Sequence, residues 1–256
     1  MPMPGPVLGV VHLLPLPGSP GYRGKLDTVL ERTVADAQAY ARGGAHGLVV
    51  ENYGDAPFSK GALEPAALAA LTRAAAAIRD AVDLPLGINA LRNDARGALG
   101  VAAAVDAAFI RVNVLAGVVA TDQGLIEGDA AGLLRQRTAL RLKTAIAADV
   151  HVKHGRPLHG EDIGDAAADL VDRAGADAVI VTGPATGRPL DLEELARVRA
   201  AIGRRPLFAG SGVTAANVRA ILRTADGVIV GTSLKKGGKT RNPVDVKRVQ
   251  ALVRAV

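Results

Sequence analysis

Eight short apolar, β-branched runs recur along the chain at intervals of about 31 residues, the length of one strand, crossover helix and strand unit. They occupy residues 7–11, 47–50, 86–88, 109–114, 150–153, 178–182, 207–209 and 227–230. Antiparallel neighbours can be joined by two residues, whereas parallel ones need a crossover of a dozen or more, so this spacing predicts parallel pairing. Helical pattern fills the gaps. Asp27 is placed to cap a helix through Tyr40, Pro65 suits a first helical position, and Asp94 can cap an Ala-rich helix to Val105. Further helices are expected over 128–143, 162–174, 192–202, 215–222 and 243–253, with Gly43-Gly44, Gly175 and Gly203 as stops. Eight such pairs in 256 residues fit a closed (β/α)8 TIM barrel better than an open doubly wound sheet. No linker or shift in composition interrupts the pattern, so residues 1–256 are read as one barrel domain.

With 49% hydrophobic and 22% charged residues the chain can bury a sizeable core. Cysteine is absent, which excludes a disulfide framework and thiolate-ligated metal. The net charge of +6 is spread along the sequence. With three Tyr, three Phe and no Trp, a nucleic-acid surface built on base stacking is poorly supplied. A small anionic molecule suits the charge better. Residues 7–16 are interrupted by Gly9, His12 and Pro15 and follow no basic start, so no signal peptide is expected. No window approaches the ~18 apolar residues of a spanning helix, so the expectation is a cytoplasmic protein without an integral membrane segment.

In a barrel of this kind chemistry gathers at the C-terminal ends of the strands. Two Gly-rich turns end the last two runs: Gly210-Ser211-Gly212-Val213-Thr214, leading to Asn217, and Gly231-Thr232-Ser233, leading to Lys235 and Lys236. Glycine lets backbone N–H groups approach an anion, and this is where barrels often hold phosphate, so a phosphate cradle is expected there. The plainer alternative is that the glycines only permit tight turns. Gly183, in the turn 182–187 after the sixth run, can extend the cradle or simply close a turn. No G-x-x-x-x-G-K-[ST] is present, so a P-loop is not indicated.

Alternation along the strands gives a second expectation, since outward residues must meet helices while inward ones at the top can be polar. It sends Asp149, His151 and Lys153 inward with Val150 and Val152 outward, Arg111 and Asn113 inward with Ile110, Val112 and Val114 outward, and Asn89 and Glu51 inward. Glu51, Asn89, Arg111, Asn113 and Lys153 should therefore share one mouth. Under a functional reading Glu51 is a general acid or base, Arg111 an anion clamp, and Lys153 a proton donor or a Schiff-base amine. Under a structural reading they are a charge layer in which Glu51 neutralises Arg111 or Lys153 and the asparagines satisfy them. Arg92 is a candidate substrate or loop contact, and His12 and His154 are candidate proton shuttles that can equally be structural. Asp55, Asp122 and Glu127 are candidate oxygen ligands for Mg²⁺, each also explicable as a solvated or capping carboxylate.

Several stretches resemble the BtpA/SgcQ family: 11–20 (VHLLPLPGSP), 50–58 (VENYGDAPF), 87–94 (GINALRND), 109–114 (FIRVNV), 121–124 (TDQG), 126–128 (IEG), 149–154 (DVHVKH), 210–214 (GSGVT) and 230–232 (VGT). They cover effectively the whole chain. The resemblance implies a TIM-type barrel related to phosphate-binding barrels. It also brings two associations: a cyanobacterial branch with photosystem I reaction-centre accumulation at the thylakoid periphery, and enteric relatives with a nucleoside triphosphatase label beside sugar-utilisation functions. It supplies no catalytic residues.

The leading expectation is an enzyme for a small phosphorylated metabolite, working as a sugar-phosphate isomerase, epimerase or aldol-type lyase. The alternatives are a non-catalytic assembly factor for a membrane complex such as photosystem I, peripheral to the membrane, with Lys235, Lys236, Lys239 and Arg241 as a basic patch, and a metal-assisted phosphate hydrolase. Barrels of this size commonly pair, so a homo-oligomer is expected.

Overall fold

A computed structural model describes residues 3–158, 160–183 and 190–256. Eight parallel strands close a barrel: β1 (Val7–His12), β2 (Gly47–Glu51), β3 (Leu86–Asn89), β4 (Phe109–Val112), β7 (Ala145–Val150), β9 (Ala178–Thr182), β10 (Leu207–Gly210) and β11 (Gly227–Val230), with β11 pairing back onto β1. Helices α1 (Leu26–Arg42), α2 (Pro65–Ala81), α3 (Ala95–Val105), α4 (Ala130–Ala139), α5 (Ile163–Asp172), α6 (Leu192–Ile202), α7 (Val218–Ile221) and α8 (Val246–Arg254) follow the strands in turn. The remaining strands β5 (Val118–Thr121), β6 (Gly124–Glu127) and β8 (Gly155–Pro157) form a separate antiparallel sheet. The TIM barrel expected from the spacing is the observed architecture.

Alternation sorts the side chains as the pleat requires. Leu8, Val10, Val49, Phe109, Ala147, Ile180, Phe208 and Ile229 fill the barrel interior, while Val11, Leu48, Val50, Ile88, Ile110, Val179 and Val228 meet the helices. The two interior phenylalanines need small neighbours. A Cβ on Gly87 would lie 2.2 Å from the Phe109 ring, and one on Gly227 would lie 2.4 Å from that of Phe208. Each ring contributes about 1.5–3 kcal/mol by leaving water.

Helix starts are set by aspartates. Asp94, Asp129, Asp162, Asp191 and Asp245 accept N–H bonds from the first turns of α3, α4, α5, α6 and α8. Asp27 does not cap: α1 begins at Leu26, and Asp27 lies in its first turn, where a carboxylate still favours the helix dipole.

Two expectations are corrected. The fifth barrel strand is not 150–153 but Ala145–Val150. Its alanines carry weak strand propensity, yet Ala145 and Ala147 sit in the same interior cluster as the phenylalanines, where bulk would not fit. The second concerns Val114 and Val152, placed outward: residues 118–127 form the β5–β6 hairpin, with Thr121 opposite Gly124. Val114 and Val152 pack with Val119 and Ile126 beneath that hairpin instead of against the outer helices.

Candidate active site

The inward positions at the strand tops converge as alternation requires. Asn89 Nδ2 donates to Glu51 Oε2 at 2.8 Å. Arg111 donates through Nε and NH2 to the two oxygens of Asp149, both at 3.1 Å, and Asn113 Nδ2 donates to the same carboxylate. Glu51 Oε2 is 4.0 Å from Arg111 NH1. All five of these groups are buried. Burial opposes the Arg111 charge, but Asp149 and Glu51 outweigh it and raise its pKa. Part of the constellation is thus a structural charge layer, and its main pair is Arg111 with Asp149, not with Glu51.

Lys153 stands outside that layer. β7 ends at Val150 and His151 turns to φ 46°, so the amine reaches the mouth from the following turn instead of from the strand. Among the described residues its ammonium makes no hydrogen bond or ion pair. Burial lowers its pKa, with Glu51 and Asp149 acting against Arg111 and Arg92. His12 closes β1 beside Glu51, with Nε2 3.9 Å from Oε1, edge-on to the Tyr53 ring at 4.8 Å. Burial first, then Lys235, Lys153 and Arg111, hold its pKa well below the usual histidine value, so the imidazole is neutral. Its Nδ1 is buried without a partner among the described residues.

The glycine turns of β10 and β11 meet this cluster. A cavity of about 300 Å³ is lined by His12, Glu51, Arg111 and Lys153 on one side and by Ser211–Thr214 and Gly231–Ser233 on the other. Ser211 and Gly212 both have left-handed backbone, at φ 66° and 63°, a strained conformation for a serine. Asn217 braces that turn, accepting from Thr214 N–H and donating to the Gly212 carbonyl. Ser233 Oγ donates to the Val213 carbonyl at 2.6 Å and ties the two turns together. Among the described residues, the N–H groups of Ser211, Gly212, Val213, Gly231, Thr232 and Ser233 donate to no acceptor. Gly231 is required here, since a Cβ would lie 2.4 Å from His12 Cε1.

Several candidates lie elsewhere. Lys235, expected near the cradle, points away from it: the residue is fully buried, its ammonium 3.1 Å from Asp36 on α1 and 5.6 Å from the centre of the Tyr40 ring. Gly210 ends β10 beside Thr182, and Gly183 is a buried residue at the end of β9, while 184–187 of its turn lie outside the described residues. Asp55, Asp122 and Glu127 do not assemble. Asp55 is committed to Leu16 N–H and Asn52 Nδ2, Asp122 accepts from Gln123 at the hairpin turn, and Glu127 lies at the other end of the hairpin. No group of three or more His, Asp or Glu among the described residues is arranged to hold a metal ion. Asp55 is nevertheless buried, which raises its pKa.

Sequence reading missed Arg248, which comes from α8 to line the cavity and donates to the Ser233 carbonyl at 3.2 Å. It also left unassigned Asp149, the carboxylate that holds Arg111, and Thr182, whose Oγ1 is buried at the top of β9 without a partner among the described residues. Arg248 had no signal, because only the packing of α8 against the turn Thr232–Leu234 brings it there. Arg92 and His154 line an adjoining space with Glu51, Arg111 and Lys153. Burial, Lys153 and Arg92 lower the His154 pKa.

Solved structures match the barrel: phosphoribosyl anthranilate isomerase from Thermus thermophilus superposes with a TM-score of 0.58 at 12% identity, covering 98% of this chain and 97% of that one. At that identity the likeness is one of fold. Sequence relatives are much closer. The photosystem I biogenesis protein BtpA of Synechocystis is 48% identical over 98% of this chain and 88% of that protein. An uncharacterized protein of Pyrococcus horikoshii is 45% identical over 98% and 95%. The family model described as the BtpA family matches residues 3–256, and with relatives of this identity along the same span the chain belongs to the BtpA family.

Proposed function

We propose that the chain is an enzyme acting on a small phosphorylated metabolite, with isomerase, epimerase or aldol-type lyase chemistry at the barrel mouth. The observation that carries this reading is the Lys153 ammonium, without a partner among the described residues, in a cavity it shares with six backbone N–H groups that likewise have none among them. Lys153 is half-buried, and a purely structural charge layer would turn that amine onto a neighbouring carboxylate. An arrangement kept for a guest leaves it open.

In this reading the phosphate sits against the N–H groups of Ser211–Val213 and Gly231–Ser233, with Arg248 completing the anion site. The rest of the substrate lies over Glu51 and Lys153. Asn89 fixes the Glu51 carboxylate, which takes a proton from a carbon next to a carbonyl, and Lys153 or neutral His12 returns one. The lowered Lys153 pKa also suits an amine that adds to a carbonyl and expels water as a Schiff base. Borohydride added during turnover chooses between the two. A covalent adduct on Lys153 selects the lyase branch, and turnover without an adduct selects proton transfer. Turnover undiminished in Lys153→Ala would remove Lys153 from both.

A second reading follows from the Synechocystis relative named for photosystem I biogenesis: a barrel that assists assembly of a membrane complex. Among the described residues no helix is long and apolar enough to cross a membrane, so this role would be peripheral. Lys236, Lys239 and Arg241 are exposed and could form its basic patch, but Lys235 is withdrawn into the Asp36 pair. The open mouth favours the enzymatic reading. Flotation with anionic vesicles tests the alternative, which requires the protein to rise with the lipid.

A further inference from the structure

Beside the glycine cup lies a second cavity of about 560 Å³. Glu51, Arg111 and Lys153 line both, so the two spaces meet at the carboxylate and the amine. The second space is otherwise lined by Arg92, from the turn after β3, and Arg241, from the segment between β11 and α8. Tyr53, Phe58 and Leu91 add apolar surface.

Its charges do not balance. Arg111 is matched by Asp149, but Arg92, Lys153 and Arg241 make no ion pair with a described residue. The carboxylates on its walls are Glu51, bonded to Asn89, and Asp122, exposed and bonded to Gln123. Arg92 is only 4% exposed. Its NH2 donates to the Lys153 carbonyl at 2.6 Å, while its Nε is buried with no acceptor among the described residues. Arg92 thus lines the cavity as a guanidinium without a carboxylate partner among the described residues, and a planar or tetrahedral oxyanion would supply one.

We infer that this second cavity receives a second anionic group of the same substrate, so that the molecule recognised is a doubly anionic sugar derivative. Its phosphate occupies the glycine cup, its carboxylate or second phosphate meets Arg92 and Arg241, and its central carbons lie over Glu51 and Lys153. This rests on the reading of the cup as a phosphate site. Holding both ends also fixes the middle of the substrate against the reacting groups, which is how remote binding energy becomes rate.

Calorimetric titration of the full chain tests this with inorganic phosphate, erythritol 4-phosphate, 4-phosphoerythronate and erythritol 1,4-bisphosphate. The wild-type protein should bind at least one of the last two about tenfold more tightly than erythritol 4-phosphate. Preference for the erythronate identifies a carboxylate, and preference for the bisphosphate a second phosphate. Arg92→Met and Arg241→Met should each shrink that ratio at least about threefold. Arg241 is exposed, so its variant carries the test should Arg92→Met not fold. A ratio near one in the wild-type protein, or a ratio neither variant moves, overturns the second subsite. Failure of the cup looks different: Arg248→Met, expected to weaken every phosphorylated probe alike, would change none of them, and inorganic phosphate would not bind.

Discussion

Lys153 and His12 show how much a single residue's neighbours decide. Burial keeps His12 neutral, and three nearby cations add to that effect. A histidine whose folded pKa is depressed binds fewer protons than the unfolded chain below about pH 6.5. The stability it permits is therefore present above that pH and is lost as pH falls through it. Wild-type protein should lose up to about 1.4 kcal/mol per pH unit below 6.5 from this group, and His12→Gln should flatten the slope in denaturant melts taken from pH 7.5 to 5. Equal slopes would mean that His12 is not held neutral. Gly231→Ala would force a methyl against the same ring and should cost about 1–3 kcal/mol. Adding His12→Ala should recover most of that, since the clash is then gone, and additive losses in thermal melts would contradict it. Lys153→Met should lower kcat by about 10² to 10⁴ with the fold intact, the range of a lost general acid or base. Circular dichroism establishes the fold, and turnover within tenfold of the wild-type value would count against the assignment.

Among the elements, α1 is fastened to the segment after β11 by one buried pair. Lys235 meets Asp36 Oδ2, while Asp36 Oδ1 accepts from Val244 N–H and Arg32 Nε lies 3.1 Å from the same carboxylate. Burial outweighs Asp36 and lowers the Lys235 pKa to about 8. Asp36→Ala should cost about 3–5 kcal/mol by leaving the ammonium alone. The double variant Asp36→Leu with Lys235→Met should cost clearly less, as urea titration would show. A double loss equal to the sum of the losses in Asp36→Leu alone and Lys235→Met alone would mean that the residues do not interact.

The same pair shows what the sequence could and could not disclose. Lys235 follows the Gly231 turn and so looks like part of an anion site, because a lysine reads identically whether its amine turns to the mouth or to α1. Strand positions were legible wherever apolar, β-branched residues ran together, as at 47–50 and 227–230. They were misplaced at 145–150, where the interior demanded alanine beside Phe109 and Phe208 and so erased the β-branched signal. Glu51, Asn89, Arg111 and Asn113 were legible from the two-residue period alone. Arg248 was not, since it depends on the docking of a helix at the other end of the sequence. The β5–β6 hairpin had a readable signal in Val118–Thr121 facing Gly124–Glu127 across Asp122-Gln123, but its turn lacks the Asn-Gly or Asp-Gly pair that marks most tight hairpins.

At the scale of the molecule, the closed barrel brings the first, second, fourth and fifth barrel strands, with their polar mouth residues, against the glycine turns of the last two. β11 pairing with β1 makes this possible, because it seats His12 beside Gly231, residues from opposite ends of the sequence. Separation of labour follows. One wall offers backbone donors, the other a carboxylate and an amine, and the whole mouth carries more positive than negative charge. Phosphate should therefore raise the melting temperature of the wild-type protein, with a shift that keeps growing as the logarithm of its concentration above the dissociation constant. Crystals grown in phosphate offer the most direct measurement. The expected result is an ordered anion bonded to the N–H groups of Ser211, Gly212, Gly231 and Thr232, in the same cavity as an unpaired Lys153 amine. An empty cup at saturating phosphate, or Lys153 locked in an ion pair with Glu51, would contradict it.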